Sequence, residues 1–376
     1  MRILHLGAGK LFGGLESFLL TLAEFREFGR PAEPHFSLCF PGRFRDGLIA
    51  VGAPVHDLGP VRFSRPWTLW RARRKLRQLL SRERIDLAVS HACWPHAAFA
   101  PVVRAARVPL VSWVHDILGG THILERWAKR TPPDLVIANS RFTAASVPKV
   151  FHDVPCEVIY IPVASRASST HYGDRTQIRQ ELSTAPDAVI GIITCRFERW
   201  KGHRLLIDAL SRLRSLPGWV WWVVGGAQRP AEKAYLDELR TAIEQAGLTD
   251  RVRFLGMRSD VPRLLSAADI HCQPNTGPEP FGIAFIEALA AGLPVVTTRM
   301  GAACEIVDDS CAILVEPDRP EQLAEALGRL MADPLERHKL GSAGPAVAKR
   351  LCDPAQQMGR MTEAFEDVIQ RRPKGN

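Results

Sequence analysis

Glu279 and Glu287 are the side chains of this sequence best placed to do chemistry. They lie within Asn275-Thr-Gly-Pro-Glu-Pro-Phe-Gly-Ile-Ala-Phe-Ile-Glu-Ala-Leu-Ala-Ala-Gly-Leu-Pro-Val-Val-Thr-Thr298. The stretch reads as a loop, a helix and a buried strand in succession. Glu279 falls in the Pro/Gly-punctuated loop, and Phe281-Gly282-Ile283 opens the helix. Glu287 sits alone in the middle of an otherwise apolar helix. Such a helix is expected to be buried, and a buried carboxylate is costly unless paired. The competing reading for either acid is a plain salt-bridge partner or a surface residue at a helix edge. Two carboxylates bracketing a helix N-terminus suit a ligand that is both hydroxylated and phosphorylated. Free helix N–H groups take phosphate, and carboxylates accept hydrogen bonds from sugar hydroxyls.

Further candidates stand at the ends of apolar strands. Thr194-Cys-Arg-Phe-Glu-Arg-Trp-Lys-Gly-His203 puts Arg196 and Lys201 between a strand and a helix, where anions bind. A forked guanidinium and a compact ammonium together suit a diphosphate, whereas an ordinary solvated loop would carry the same charges incidentally. Gly7-Ala-Gly-Lys-Leu-Phe-Gly-Gly-Leu-Glu16 starts like a dinucleotide fingerprint, but Phe12 replaces the third glycine, and no Walker spacing follows. Gly13-Gly14 ahead of a helix fits a loop whose amides reach a phosphate, with Glu16 as a first-turn helix acid. Trp113-Val-His-Asp-Ile-Leu-Gly-Gly120 ends a strand, so His115 and Asp116 project from its carboxyl end, although a lone histidine is commonly structural.

These residues need strands to hold them. Arg2–Leu6, His35–Cys39, Val55–Asp57, Leu87–Ser90, Leu110–Val114, Leu135–Asn139 and Val158–Ile161 read as strands, alternating with helices such as Leu15–Phe25, Trp67–Ser81 and Arg141–Val150. This is the rhythm of a parallel α/β sheet covered on both faces. The polar run after Ser165 interrupts it. It resumes with strands at Val189–Cys195, Trp219–Gly225, Val252–Leu255, Ile270–Gln273, Pro294–Thr297 and Ile313–Val315. Helices are expected at His203–Arg214, Ala231–Ala246 and Glu321–Met331, and Met358–Ile369 carries an apolar face at helical spacing. Two doubly wound domains would offer ligands the carboxyl ends of their strands.

At 376 residues the chain is long enough for two such cores. Hydrophobic content of 46% and charged content of 24% are those of a soluble globular protein. Ile3–Leu6 is too short for a signal-peptide core, and no apolar run is long enough to span a bilayer. Eight cysteines without Cys-x-x-Cys spacing are expected to be mostly buried, reduced thiols of a cytoplasmic protein. The net charge of +9 is local: nine basic residues between Arg62 and Arg84 face Glu83 alone, which leaves about +1 elsewhere. That stretch is either a solvated helix face or a weak, salt-sensitive contact with anionic membrane. No nucleic-acid motif accompanies it, so nucleic acid is not expected as a partner. No Asp-x-Asp pair is present to hold a nucleotide-bound metal, and no metal site is expected.

The run from Glu279 to Glu287, set within Pro-Glu-Pro-Phe-Gly and Glu-Ala-Leu-Ala-Ala-Gly-Leu-Pro-Val-Val, resembles the signature of the retaining glycosyltransferases of family 4 (GT4). These have the GT-B fold, two Rossmann-like doubly wound domains facing a central cleft, with a C-terminal helix crossing back to the N-domain. The resemblance is strongest over 187–316 and looser over 1–165. It implies an acceptor-binding domain at 1–165, a linker at 166–186, a nucleotide-sugar-binding domain at 187–350 and a crossover helix at 351–376. It further implies a hexosyltransferase of polysaccharide or glycolipid assembly, moving a sugar from a UDP- or GDP-sugar to a glycan or glycolipid. The nucleotide-sugar is then a co-substrate, with no cofactor and no metal. By the same resemblance Glu279 contacts donor sugar hydroxyls and Glu287 the ribose, and amides of Phe281, Gly282 and Ile283 bind hydroxyls and phosphate. Arg196 and Lys201 stabilise the leaving diphosphate, and His115 assists at the sugar. Gly13-Gly14 lines the cleft, Arg141 sits near it, and backbone groups at Met257 and Arg258 read the base. One departure is Cys195, where the family has a glycine before the arginine. Two rivals share the scaffold, a sugar-nucleotide epimerase and a non-catalytic binding relative. The expected location is cytoplasmic, at the inner face of the plasma membrane.

Overall fold

The computed structural model describes residues 1–24, 32–163 and 175–371. The chain divides into two compact units, one formed by 1–164 with 352–376 and the other by 165–351.

Among the described residues the first unit holds seven strands, β1 Arg2–Leu6, β2 Glu33–Leu38, β3 Val55–Asp57, β4 Leu87–His91, β5 Leu110–Val114, β6 Leu135–Ala138 and β7 Cys156–Val158. They pair in parallel in the order β3-β2-β1-β4-β5-β6-β7. The second unit holds β8 Val189–Thr194, β9 Trp219–Val224, β10 Val252–Gly256, β11 Ile270–Gln273, β12 Val295–Thr298 and β13 Ala312–Val315. Their order is β10-β9-β8-β11-β12-β13, again parallel throughout. Parallel strands covered on both faces need apolar residues on both faces. Accordingly β4, β5, β6, β11 and β12 are buried along their whole length. The two halves of the fold are thus of Rossmann-like type, as the strand rhythm implies.

Differences from the sequence expectation cluster at edges. The last strand of the first sheet is Cys156–Val158 rather than Val158–Ile161. Within the expected linker, Arg175–Glu181 is a helix, while 164–174 lie outside the described residues, as does the predicted end of the first helix at Phe25. The Arg179 guanidinium is buried and fastens that helix to the second sheet. It donates to the carbonyls of Ala267, Pro186 and Ala188 and pairs with Asp269 at 2.7 Å. Asp269 also accepts the Ile190 N–H at 2.7 Å, so one carboxylate ties the helix to the starts of β8 and β11.

The helix Pro354–Gln370 buries Met358, Met361, Phe365 and Val368 within the first unit. Arg360 donates to the Val158 carbonyl at 2.8 Å, and Val163 N–H donates to the Cys352 carbonyl at 3.0 Å. Cysteine burial is less uniform than expected: Cys39, Cys272, Cys311 and Cys352 are buried, but Cys156 and Cys304 are exposed, and all eight are free. Among the described residues no helix is long and apolar enough to cross a membrane.

Candidate active site

In the second sheet the chain leaves β8 toward β9 on one side and β11 toward β12 on the other. The loops following β8 and β11 therefore diverge, and a crevice at such a switch point is where open α/β sheets take ligands. Lys201 lies in the first loop and Glu279 in the second. Lys201 Nζ meets Glu279 Oε2 at 2.6 Å, with side chains only 15% and 8% exposed.

The loops are locked together by backbone. Thr276 N–H donates to the Trp200 carbonyl at 2.8 Å. Gly202 adopts φ +79°, and a Cβ there would stand 1.7 Å from the Pro274 carbonyl oxygen. Only glycine meets both demands. The Lys201 ammonium also rests 4.0 Å above the Trp200 ring. Two residues not singled out in the sequence complete the setting. Gln273 Nε2 and Asn275 Nδ2 donate to the same Glu279 Oε2 at 2.9 and 3.1 Å. With Lys201 they place three donors on one oxygen and leave Oε1 for other work. The available signal was a polar Gln-Pro-Asn at the end of an apolar strand.

Arg196 is also engaged. Its guanidinium reaches Glu198 at 2.7 Å and Glu232 at 3.3 Å. Glu232 is buried and accepts the Gln228 N–H at 2.6 Å at the start of the helix Pro230–Gln245. The sequence reading had assigned no carboxylate to Arg196. To bind an anion, Arg196 and Lys201 would have to exchange these carboxylate partners for it. Burial pushes the thiol of Cys195, directly before Arg196, up to about 12, so it is protonated near pH 7.

The helix Ile283–Ala290 starts two residues beyond Phe281, with Gly282 as its N-cap. Its first-turn N–H groups point away from intrahelical acceptors. Phe281 is buried and Ile283 half-buried. Glu287 corrects an expectation: it is half-buried, not enclosed, because one side of the helix stays accessible. Met257 and Arg258 follow β10, whose register shifts between Phe254 and Gly256. Met257 covers Gly226, where a Cβ would come within 2.5 Å of its Cε. Arg258 is bound by both oxygens of Asp260 at 2.8 and 2.7 Å, so its guanidinium is occupied.

The remaining candidates belong to the first unit. Gly13 N–H donates to Glu16 Oε2 at 2.9 Å, and Gly14 opens the helix Gly14–Glu24, so Glu16 is the first-turn acid expected. His115 follows β5, is buried, and its carbonyl accepts from Asn139 Nδ2 at 3.4 Å. Burial lowers its imidazole to about 3, so it is neutral near pH 7. Its Nε2 meets His91 Nδ1 at 3.0 Å, a partner the sequence did not suggest. Asp116 is exposed, and Ser140 caps the short helix that Arg141 begins. Among the described residues no three His, Cys, Asp or Glu side chains converge to hold a metal ion.

Residues 174–347 match the family described as Glycosyl transferases group 1, and residues 12–165 match Glycosyltransferase Family 4. This chain belongs to glycosyltransferase family 4. Among similar proteins, the lipopolysaccharide core biosynthesis mannosyltransferase LpsB of Rhizobium meliloti is 30% identical over 204 residues, 53% of this chain and 56% of that protein. A D-inositol 3-phosphate glycosyltransferase of Segniliparus rotundus is 26% identical over 58% of this chain and 49% of that protein. The alignments thus span about half the length of these curated relatives. Over nearly the whole chain, the fold is similar to Anabaena Alr3699/HepE crystallised with UDP and glucose. That similarity has a TM-score of 0.85 at 28% identity and covers 98% of this chain and 100% of that one. The GT4 chain described here therefore has the GT-B fold.

Proposed function

We propose that this GT4 chain is a hexosyltransferase that moves a sugar from a UDP- or GDP-linked donor to a glycan or glycolipid, with retention of configuration. The observation that carries the reading is the Lys201–Glu279 pair at the β8/β11 switch point. Support comes from the likeness to a protein holding UDP and glucose. On donor binding Lys201 passes to the diphosphate and Glu279 Oε1 to sugar hydroxyls, each releasing the other. Arg196 adds charge to the leaving diphosphate. First-turn amides of Phe281, Gly282 and Ile283 serve hydroxyls and phosphate. Glu287 takes the ribose, backbone groups at Met257 and Arg258 take the base, and Gly13-Gly14 and His115 serve the transferred sugar. No side chain stands out as a covalent nucleophile, so retention runs on the front face, the leaving phosphate accepting the acceptor's proton.

Calorimetric titration with UDP, GDP and ADP tests the site. One nucleotide is expected to bind selectively, and Glu287→Ala is expected to weaken it and to raise the donor KM. No binding of any nucleotide would favour a non-catalytic relative, and isomerised free donor an epimerase.

Charge neutralisation by Arg196, Lys201 and helix amides makes the transfer independent of divalent metal. Turnover is expected to persist in EDTA; its abolition by chelator and return with magnesium would refute this.

The arginine-rich helix Pro66–Arg82 buries Ala72, Leu76, Leu79 and Leu80, while Trp67 and Trp70 stand 57% and 62% exposed among its basic residues. Exposed tryptophans favour the membrane interface, and each nearby basic side chain contributes ~1 kcal/mol on an anionic surface. The proposed location is peripheral, on the cytoplasmic face of the plasma membrane. Flotation with phosphatidylglycerol vesicles is expected at low salt, weakened by high salt and by Trp67→Ala/Trp70→Ala. Absence of flotation at low salt would remove the membrane role.

A further inference from the structure

Three histidines lie side by side across the centre of the first sheet. In the β1–β4 register His5 stands opposite Val89, two residues before His91. In the β4–β5 register His91 stands opposite Trp113, two residues before His115. Strand alternation therefore puts all three side chains on one face. His5 Nδ1 meets His91 Nε2 at 2.9 Å, and His91 Nδ1 meets His115 Nε2 at 3.0 Å. The rings stack in a row with centroids 5.2 and 5.3 Å apart. Phe18 and Trp113 pack against the row, and the three histidines are 1%, 1% and 9% exposed. Both nitrogens of His91 are used, whereas His5 Nε2 and His115 Nδ1, the two ends, have no hydrogen-bond partner.

A neutral imidazole carries one N–H and one lone pair. His91 must then donate one bond and accept the other, which forces a single direction along the whole row. Burial keeps all three rings neutral. In one direction His5 and His91 donate from Nδ1, and His115 keeps its proton on Nδ1. In the other, His5 is left with an N–H on Nε2, in a ring stacked on Phe36. Each direction thus leaves one buried N–H without a protein acceptor, His115 Nδ1 in the first and His5 Nε2 in the second. His115 follows the carboxyl end of β5, where ligands of α/β sheets bind and a ligand oxygen can supply the missing acceptor, so the first direction is favoured.

We propose that His5 and His91 are positioning residues that set the tautomer of His115, so that it meets the donor sugar as a neutral N–H donor through Nδ1. This rests on the reading of His115 as a donor-sugar contact. It goes beyond that reading in fixing which nitrogen acts, in which protonation state, and which residues impose it. The unpartnered Nδ1 is buried in the unliganded fold, so the sugar oxygen that satisfies it does so as the side chains over it shift on donor binding. No net charge enters the site, and no proton need cross the row during turnover.

The test is long-range 1H–15N spectroscopy of the full chain labelled at histidine, at pH 7, with His5→Phe, His91→Phe and His115→Phe supplying the assignments. The expected result is three neutral rings protonated on Nδ1, with 15N–15N couplings across both hydrogen bonds. A His115 protonated on Nε2 or on both nitrogens, or missing couplings, overturns the proposal. Kinetics with UDP-glucose and GDP-mannose as donor probes supply the second arm. His91→Phe is expected to lower kcat ~10-fold or more, because an oriented imidazole loses the partner that fixes its tautomer, with donor KM within about twofold. Glutamine can accept from His5 through Oε1 and donate to His115 through Nε2, so His91→Gln is expected to recover most of the loss. Equal rates in the two variants would mean that His91 only fills space, and the proposal would fall. If His115→Phe itself turns over normally, the role of His115 at the sugar falls instead, whatever the spectra show.

Discussion

Lys201→Ala is expected to lower kcat by ~10²–10³-fold, the usual loss when one group stabilising transition-state charge is removed. Donor KM should change far less, because Lys201 is held by Glu279 before ligand arrives, and in the proposed mechanism its full interaction with the diphosphate develops as the bond breaks. Lys201→Arg should not restore the rate. The 2.6 Å contact, the Trp200 ring 4.0 Å below and the 15% exposure leave room for a compact ammonium, not for a planar fork. Removing the lysine also leaves Glu279 buried without its cation, which destabilises the loop. Steady-state and single-turnover rates on the folded variant, judged by its melting profile, decide the matter. A kcat within threefold of the wild type would take Lys201 out of the chemistry.

The second large effect is on stability in acid. Burial holds His5 and His115 at about 3 and His96 at about 4 in the first unit, and His203 and His271 at about 3 in the second, against 6.5 when exposed. For His96 a bond to the Thr131 carbonyl opposes burial in part, and for His203 Lys201 reinforces it. Below pH 6.5 the unfolded chain binds protons at these sites while the folded chain does not. Their contribution is therefore complete above that pH and is lost as pH falls from 6.5 toward 3–4. Each neutral buried histidine removes about 1.4 kcal/mol per pH unit within that window. For His5, His96 and His115 alone the sum is about 4 kcal/mol per unit, comparable with the whole stability of a marginal domain, and His91, also lowered by burial, adds to it. Urea midpoints are expected to hold between pH 8 and 7 and then to fall steeply toward pH 5.5. His96→Gln should flatten the slope by one proton. A midpoint unchanged down to pH 5.5 would show that these rings are charged or hydrated in the folded chain.

The strands that carry the site were readable because parallel, doubly covered strands must be apolar on both faces. Val295 to Thr298 and Trp219 to Val224 leave no other reading. The helix Pro334–Cys352 was not anticipated, since Gly341, Gly344 and Pro345 look like breakers. The glycines are there for contact: a Cβ on Gly341 would stand 2.2 Å from the Gly292 carbonyl oxygen, and one on Gly344 2.7 Å from that of Leu289. Local propensity lost to packing at that seam. The Lys201–Glu279 pair could be anticipated as two candidates but not as partners, because 78 residues separate them and strand order alone joins them. The same holds more strongly for His5, His91 and His115. Nothing local marks His5 or His91, and only the sequence β1-β4-β5 in the sheet makes them neighbours. Gln273 and Asn275 were overlooked because a polar pair at a strand end reads as ordinary loop. Glu198 and Glu232 were overlooked because each had an equally plausible role on the surface of its own helix or loop.

The first unit is assembled from two stretches that are far apart in the chain, with Met358, Met361, Phe365 and Val368 sealing a core begun at Arg2. This sets an order of events on the ribosome. All the strands of the second unit have been synthesised by Val315, and its residues end at Leu351, so it can close while synthesis continues. The unit that is made first must wait, its apolar surface uncovered, until residues up to Gln370 have emerged. The nascent chain is therefore expected to finish its later half before its earlier one, with the amino-terminal half the more exposed to aggregation in the interval.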